Sequence, residues 1–212
     1  MKLSIISAAL LLAGASNVWA ASSVDLSVKG LIIPAACTPT LSAGGVVDHG
    51  KISFKDLSWN LYNVLPVATL QLNVNCDAPT LVAIKGRDNR AGSSAADPIG
   101  QPNYGLGLVN GDKKLGWYLL KTANGQADGV DRPVIESNDG ASWTDASYPG
   151  VVWQVGGMRA LSASTGSDAA PLPVEAMTLD ILIETTMVPA YLIPAGQEVP
   201  LDGSATLEVI YL

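Results

Sequence analysis

The sequence predicts an all-β sandwich, and three observations carry that prediction. Twenty-one glycines and thirteen prolines punctuate the 212 residues so often that few windows are long enough for a helix. Two segments then show the two-residue period of half-buried strands. In the first, Ala68, Leu70, Leu72, Val74 and Cys76 alternate with Thr69, Gln71, Asn73 and Asn75. In the second, Met177, Leu179, Ile181, Ile183 and Met187 alternate with Thr178, Asp180, Glu184 and Thr186. Third, Tyr104–Val109 and Leu115–Lys121 flank Asn110-Gly111, a hairpin turn pair because both residues tolerate positive φ. The length suits one sizeable β domain or two small ones, and no repeat, linker or low-complexity block divides it.

Residues 1–20 read as a secretory signal peptide. Met1-Lys2 is the positive start, Leu3 to Ala13 the apolar run, and Val18-Trp19-Ala20 the small-residue cleavage site. Removing Lys2 with it leaves eleven basic residues against nineteen acidic ones, a net charge of −8. An acidic chain with no Lys/Arg cluster repels phosphate, which excludes nucleic acid as the expected partner. Cys37 and Cys76 both follow the signal, so in an oxidising compartment one disulfide is the natural reading, with free thiols as the alternative. Closing that loop contributes roughly 4 kcal/mol by the chain-entropy estimate.

The mature chain opens with its most informative stretch. Val24, Leu26, Val28 and Ile32 fall on alternate positions with Gly30 between the last two, giving a strand with one apolar face and no obvious partner so near a terminus. Such an edge invites pairing with another chain. Further along, Leu41–Ser53 reads as a broken first strand kinked at Gly44-Gly45 and Gly50. Leu81–Lys85, Val130–Glu136 and Gly150–Gly156 read as strands. Arg87–Pro102, Asn124–Gly129, Ser137–Asp145 and Ser162–Pro173 read as loops. The C-terminal strand alternates Ala205, Leu207, Val209 and Tyr211 against Thr206, Glu208, Ile210 and Leu212.

The run Val24-Asp-Leu-Ser-Val-Lys-Gly30-Leu-Ile-Ile-Pro34, followed closely by Cys37, resembles the N-terminal extension of the chaperone–usher pilins, the subunits of bacterial fimbriae. A penultimate tyrosine, Tyr211, at the end of an alternating strand is a second match. The sequence departs from the family in having Val199 where a glycine is usual, with Gly196 and Gly203 to either side.

The resemblance implies an incomplete immunoglobulin-like (pilin) sandwich over residues 36–212 and a donor-strand extension over 21–35. It implies a Cys37–Cys76 disulfide at the start of the domain. It implies a groove along the C-terminal strand (Ala205, Leu207, Val209, Tyr211), filled by Val24, Leu26, Val28, Gly30 and Ile32 of a neighbouring subunit. The implied partners are a periplasmic pilus chaperone, an outer-membrane usher and neighbouring subunits in a head-to-tail polymer. The implied location is a fimbrium on the bacterial surface, reached through the periplasm and serving adhesion or biofilm formation.

Chemistry supports strand donation independently. Main-chain hydrogen bonds supply affinity and alternate side chains fill pockets. Burying the four apolar donor residues contributes roughly 6–12 kcal/mol before ordering costs. A glycine on the buried face suits a groove too tight for any side chain.

The other constellations point to no catalytic chemistry. Gly105-Leu-Gly107 lacks the third glycine of a dinucleotide fingerprint. Asp128, Asp131, Asn138 and Asp139 fit no standard calcium loop. His49 is the single histidine, with no nucleophile elbow in the chain. No enzymatic activity, cofactor or metal is expected. A carbohydrate-binding module using Trp117, Trp143, Trp153 and Tyr148 is the alternative reading, and a secreted hydrolase the next.

Overall fold

A computed structural model describes residues 24–30, 36–96, 102–148 and 150–212. The chain divides into two units, Met1–Ile33 and Pro34–Leu212. In the first, Val24–Gly30 belongs to no strand. The second is an all-β sandwich.

Its strands are β1 (Cys37–Leu41), β2 (Asn63–Val64), β3 (Ala68–Asp88), β4 (Tyr104–Gly105), β5 (Leu108–Val109), β6 (Lys113–Lys114) and β7 (Gly116–Ala127). There follow β8 (Val130–Asp131), β9 (Val134–Ser137), β10 (Thr144–Asp145), β11 (Met158–Leu161), β12 (Pro173–Met187) and β13 (Ala205–Tyr211). The helical content of the described residues is four short 3-10 turns, at Ser42–Gly45, Phe54–Asp56, Gly166–Asp168 and Ala190–Leu192.

β3 organises the fold because it belongs to both layers. Its first part lies between β1 and β12, and β12 passes the first sheet on to β7 and β4. From Val82 to Asp88 it pairs with β13, while Ile84 and Lys85 also pair with β11 in the second sheet, β10-β9-β11-β3-β13. The corner is visible in the β12 register, where Val174 faces Thr80 but Ala176 faces Asn75. The residues from Cys76 to Pro79 bulge out there, as expected of a strand that switches sheets.

Between the layers, Leu72, Val74, Leu179 and Ile181 from the first sheet meet Ile84, Leu161 and Trp153. Gly86 is required at this crossing, since a Cβ there would lie 2.5 Å from the Tyr104 hydroxyl. That ring stacks on Tyr118 at 5.2 Å. Burial pushes both phenols above their ordinary range, because the phenolate has no solvent. Arg159 is fully buried in β11, with Glu136 of β9 at 2.7 Å to offset its charge.

Both long alternating segments are strands, and the Asn110-Gly111 turn joins β5 to β6 with φ of +53° and +85°. Several sequence expectations are corrected. The first strand is Cys37–Leu41, not Leu41–Ser53; after it Ala43 and Gly44 take left-handed φ of 51° and 61°, which ends the ladder. Leu81–Lys85 is not separate, because β3 runs through Pro79 as a bulge. β7 continues into the expected loop Asn124–Gly129 by means of a bulge at Asn124, φ +51°. Val130–Glu136 is split at Arg132-Pro133, where proline has no N–H to offer. Thr144 and Asp145 pair with β9 inside the expected Ser137–Asp145 loop. Gly150–Gly156 makes a single bridge, Lys121 to Val152, and the strand in that region is Met158–Leu161.

Candidate functional site

β13 pairs along one edge, with β3, from Ala205 opposite Asp88 to Tyr211 opposite Val82. Among the described residues its other edge has no partner strand. Along that open side runs a cleft of about 250 Å³. Its floor and walls are core side chains: Leu70, Leu120 and Ile181 of the first sheet, Leu207 of β13, and Leu41 and Val47 from the chain around the first 3-10 turn. Val46–Ser53 belongs to no strand, but Val47 and His49 line the cleft opposite β13. The cleft is therefore lined both by a strand with one open edge and by a segment without ladder partners. Polar groups share the lining: Ser204, and His49 Nε2 at 3.1 Å from Thr185 Oγ1.

Of the residues predicted for the C-terminal groove strand, Ala205 and Leu207 line the cleft, and Val209 and Tyr211 lie beyond it along β13. Ala205, Leu207 and Val209 point toward the main core and are only partly buried. Tyr211 is exposed, and its hydroxyl accepts a hydrogen bond from the Cys37 amide at 2.9 Å. Cys37 and Cys76 are joined by a disulfide between directly opposed positions of β1 and β3, which pins the start of the domain beside the end of β13.

The other end of β13 is held by Arg90. Its Nη2 and Nε donate to the Asp202 carboxylate at 2.7 and 3.0 Å. The hydrogen bonds hold the Asp202 carboxyl below its usual range. Next to it, Gly203 lines the cleft with the Tyr118 ring 2.9 Å from where a Cβ would be, so glycine is needed at this turn into β13. Val199, where the pilin resemblance leads one to expect a glycine, instead packs against a separate cluster with Met187 and Val188.

Of the predicted donor residues, Val24, Leu26 and Val28 are 93%, 89% and 89% exposed. Gly30 is also exposed, and Ile32 lies outside the described residues.

The remaining candidates are placed as follows. Asp128 accepts from the amides of Glu175 and Ala176, Asp131 from Gln126, and Asp139 from Ala141 and Ser142. These are turn and strand contacts, and no cluster able to hold a metal occurs among the described residues. Trp153 is buried in the main core and Trp143 packs against a third cluster with Ile135. Trp117 meets Tyr62 edge-on at 5.2 Å, and Tyr148 is exposed. Gly105 and Gly107 flank Leu106 beside Ser93 and Asp202. No helix among the described residues is long and apolar enough to cross a membrane.

Sequence reasoning did not single out the His49–Thr185 pair or the exposed rings Trp59, Tyr62 and Tyr191. Their partners are distant in sequence, and the β2–β12 pairing (Val64 opposite Thr186) with its flanking hydrogen bonds brings the loop before β2 to the end of β12.

A family model described as a protein of unknown function, DUF1120, matches residues 26–103. The match begins inside the exposed alternating segment and runs through all of β3. The chain is also similar to the uncharacterized protein YhcF of Escherichia coli (strain K12), 28% identical over 96% of this chain and 98% of the relative. Protein GltF of the same organism is 27% identical over 90% of this chain and 89% of the relative.

Proposed function

We propose that this protein is a structural subunit that polymerises by strand donation, as a chaperone–usher pilin does. The observation that carries the reading is the cleft of core side chains beside the unpaired edge of β13. An open edge over an apolar cleft is a template for one more strand. The chain has a segment of matching pattern in Val24, Leu26 and Val28, exposed and outside any strand. Gly30 provides the position without a side chain.

In this reading the extension of one copy enters the cleft of the next. The contact is head-to-tail and does not close, so it builds a fibre. A periplasmic chaperone lends a strand to the cleft before assembly, an outer-membrane usher releases the subunits in order, and the fibre stands on the bacterial surface. Its role is adhesion or biofilm formation, with no catalytic step.

The test is the size of the purified mature chain in solution, measured by light scattering. Wild type is expected to form a ladder of oligomers and Gly30→Val to remain monomeric. Equal oligomerisation of the two, or none by wild type, contradicts strand donation.

A further inference from the structure

Apart from the cleft, the described surface has one exposed cluster of large aromatic side chains. Trp59, Leu61 and Tyr62 are 60%, 70% and 58% exposed, and Tyr191 is 54% exposed. The cluster is built rather than scattered. The Trp59 and Tyr191 rings lie 6.2 Å apart. The backbone beneath them is tied by Ala190 N to Ser58 O at 3.0 Å and by Asn63 Nδ2 to Val188 O at 3.1 Å. An apolar group held in place at the surface marks an interaction site.

The cluster lies at one end of the cleft. Val64 faces Thr186, next to the cleft residue Thr185, and Leu201 of the cleft shares an apolar cluster with Val188 and Leu57.

We infer that this face receives the body of a second copy, the one whose extension occupies the cleft. The inference rests on the strand-donation reading. β13 runs from Ala205 at the Leu201 end to Tyr211 beside Cys37. All ladders between named strands here are antiparallel, which is also the more stable pairing per residue. An antiparallel guest places Val24 near Tyr211 and directs the extension toward the Leu201 end. From Ile33 to Cys37 there are four Cα steps, at most about 14 Å of chain. The donating body therefore sits against the end of the acceptor that carries Trp59 and Tyr191.

The end of the donating body that follows this short connection offers a matching surface. Around Cys37 lie Tyr211, Leu212 and Leu81, all exposed, with Leu212 N bonded to Leu81 O at 3.1 Å. The contact thus joins two different apolar patches at opposite ends of the body, the arrangement a non-closing polymer needs.

Hydroxyl-radical footprinting read by mass spectrometry tests this on the purified mature chain, with monomeric Gly30→Val as reference because that change lies outside the body. Oxidation of Trp59 and Tyr191 is expected to fall several-fold in wild-type oligomers. Tyr148, exposed elsewhere, is expected to be unchanged. Oligomers in which Trp59 and Tyr191 oxidise as fast as in the reference overturn this contact and leave strand donation standing. A wild-type chain that stays monomeric overturns both.

Discussion

β12 and β13 have the same alternating pattern and different fates. β12 is paired on both edges, and its inward residues Met177, Leu179 and Ile181 are 1%, 0% and 2% exposed. Among the described residues β13 is paired on one edge, and its inward residues Ala205, Leu207 and Val209 are only partly buried although they face the same core. Alternation in sequence states which face of a strand is meant to be buried. Whether it is buried depends on how many neighbours the strand has. The difference between these two strands is one missing neighbour, and that absence is the basis of the proposed function.

The comparison can be broken most sharply in β12. Leu179→Ala is expected to lower the stability of the folded chain by about 3 kcal/mol, because it opens a cavity in a closed core. Denaturant unfolding should show that loss equally with and without a filled cleft. Leu207→Ala in β13 is expected to cost about 1 kcal/mol in the monomer, since the side chain has only part of its apolar surface to lose. The same substitution should cost more once a donor strand packs on it. A cost at Leu207 that equals the cost at Leu179 in the monomer would show that the cleft is already closed.

The smallest effect belongs to the opposite edge of the second sheet. There Asp139 accepts hydrogen bonds from the Ser142 and Ala141 amides and from Ser137, which hold its carboxyl down to about 2. Its folded value is depressed, so its stabilisation is present above the unfolded value of about 4 and is lost as pH falls toward 2. Melting curves at pH 5, 3 and 2 should show a slightly weaker acid dependence for Asp139→Asn than for wild type. Donor binding at pH 5 should be the same in both.

Much of the sandwich was legible in the sequence because period-two alternation survives wherever one strand face is apolar and the other wet. β12, β13 and the first part of β3 follow that rule. β11 does not: Met158–Leu161 is buried on both faces and includes Arg159, so no alternation marks it. Leu81–Lys85 read as a strand of its own, but it continues β3 past a bulge that absorbs Pro79 where the strand changes sheets. The disulfide was legible from there being two cysteines, both after the apolar N-terminal run. The far wall of the cleft was not, because Val47 and His49 lie in a segment with no strand pattern and meet β12 only through tertiary packing. The Trp59–Tyr191 pair was hidden for the same reason.

The most direct test of the missing neighbour is thermal unfolding of the body beginning at Ala36, refolded with its disulfide, with and without a peptide spanning residues 21–35. At a peptide concentration a hundredfold above Kd, mass action adds about 2.7 kcal/mol, a rise in Tm of roughly 5–10 °C for a domain of this size. The account predicts that rise with the native peptide and none with its Gly30→Val form. A body that is already stable and melts at the same temperature with either peptide would contradict it.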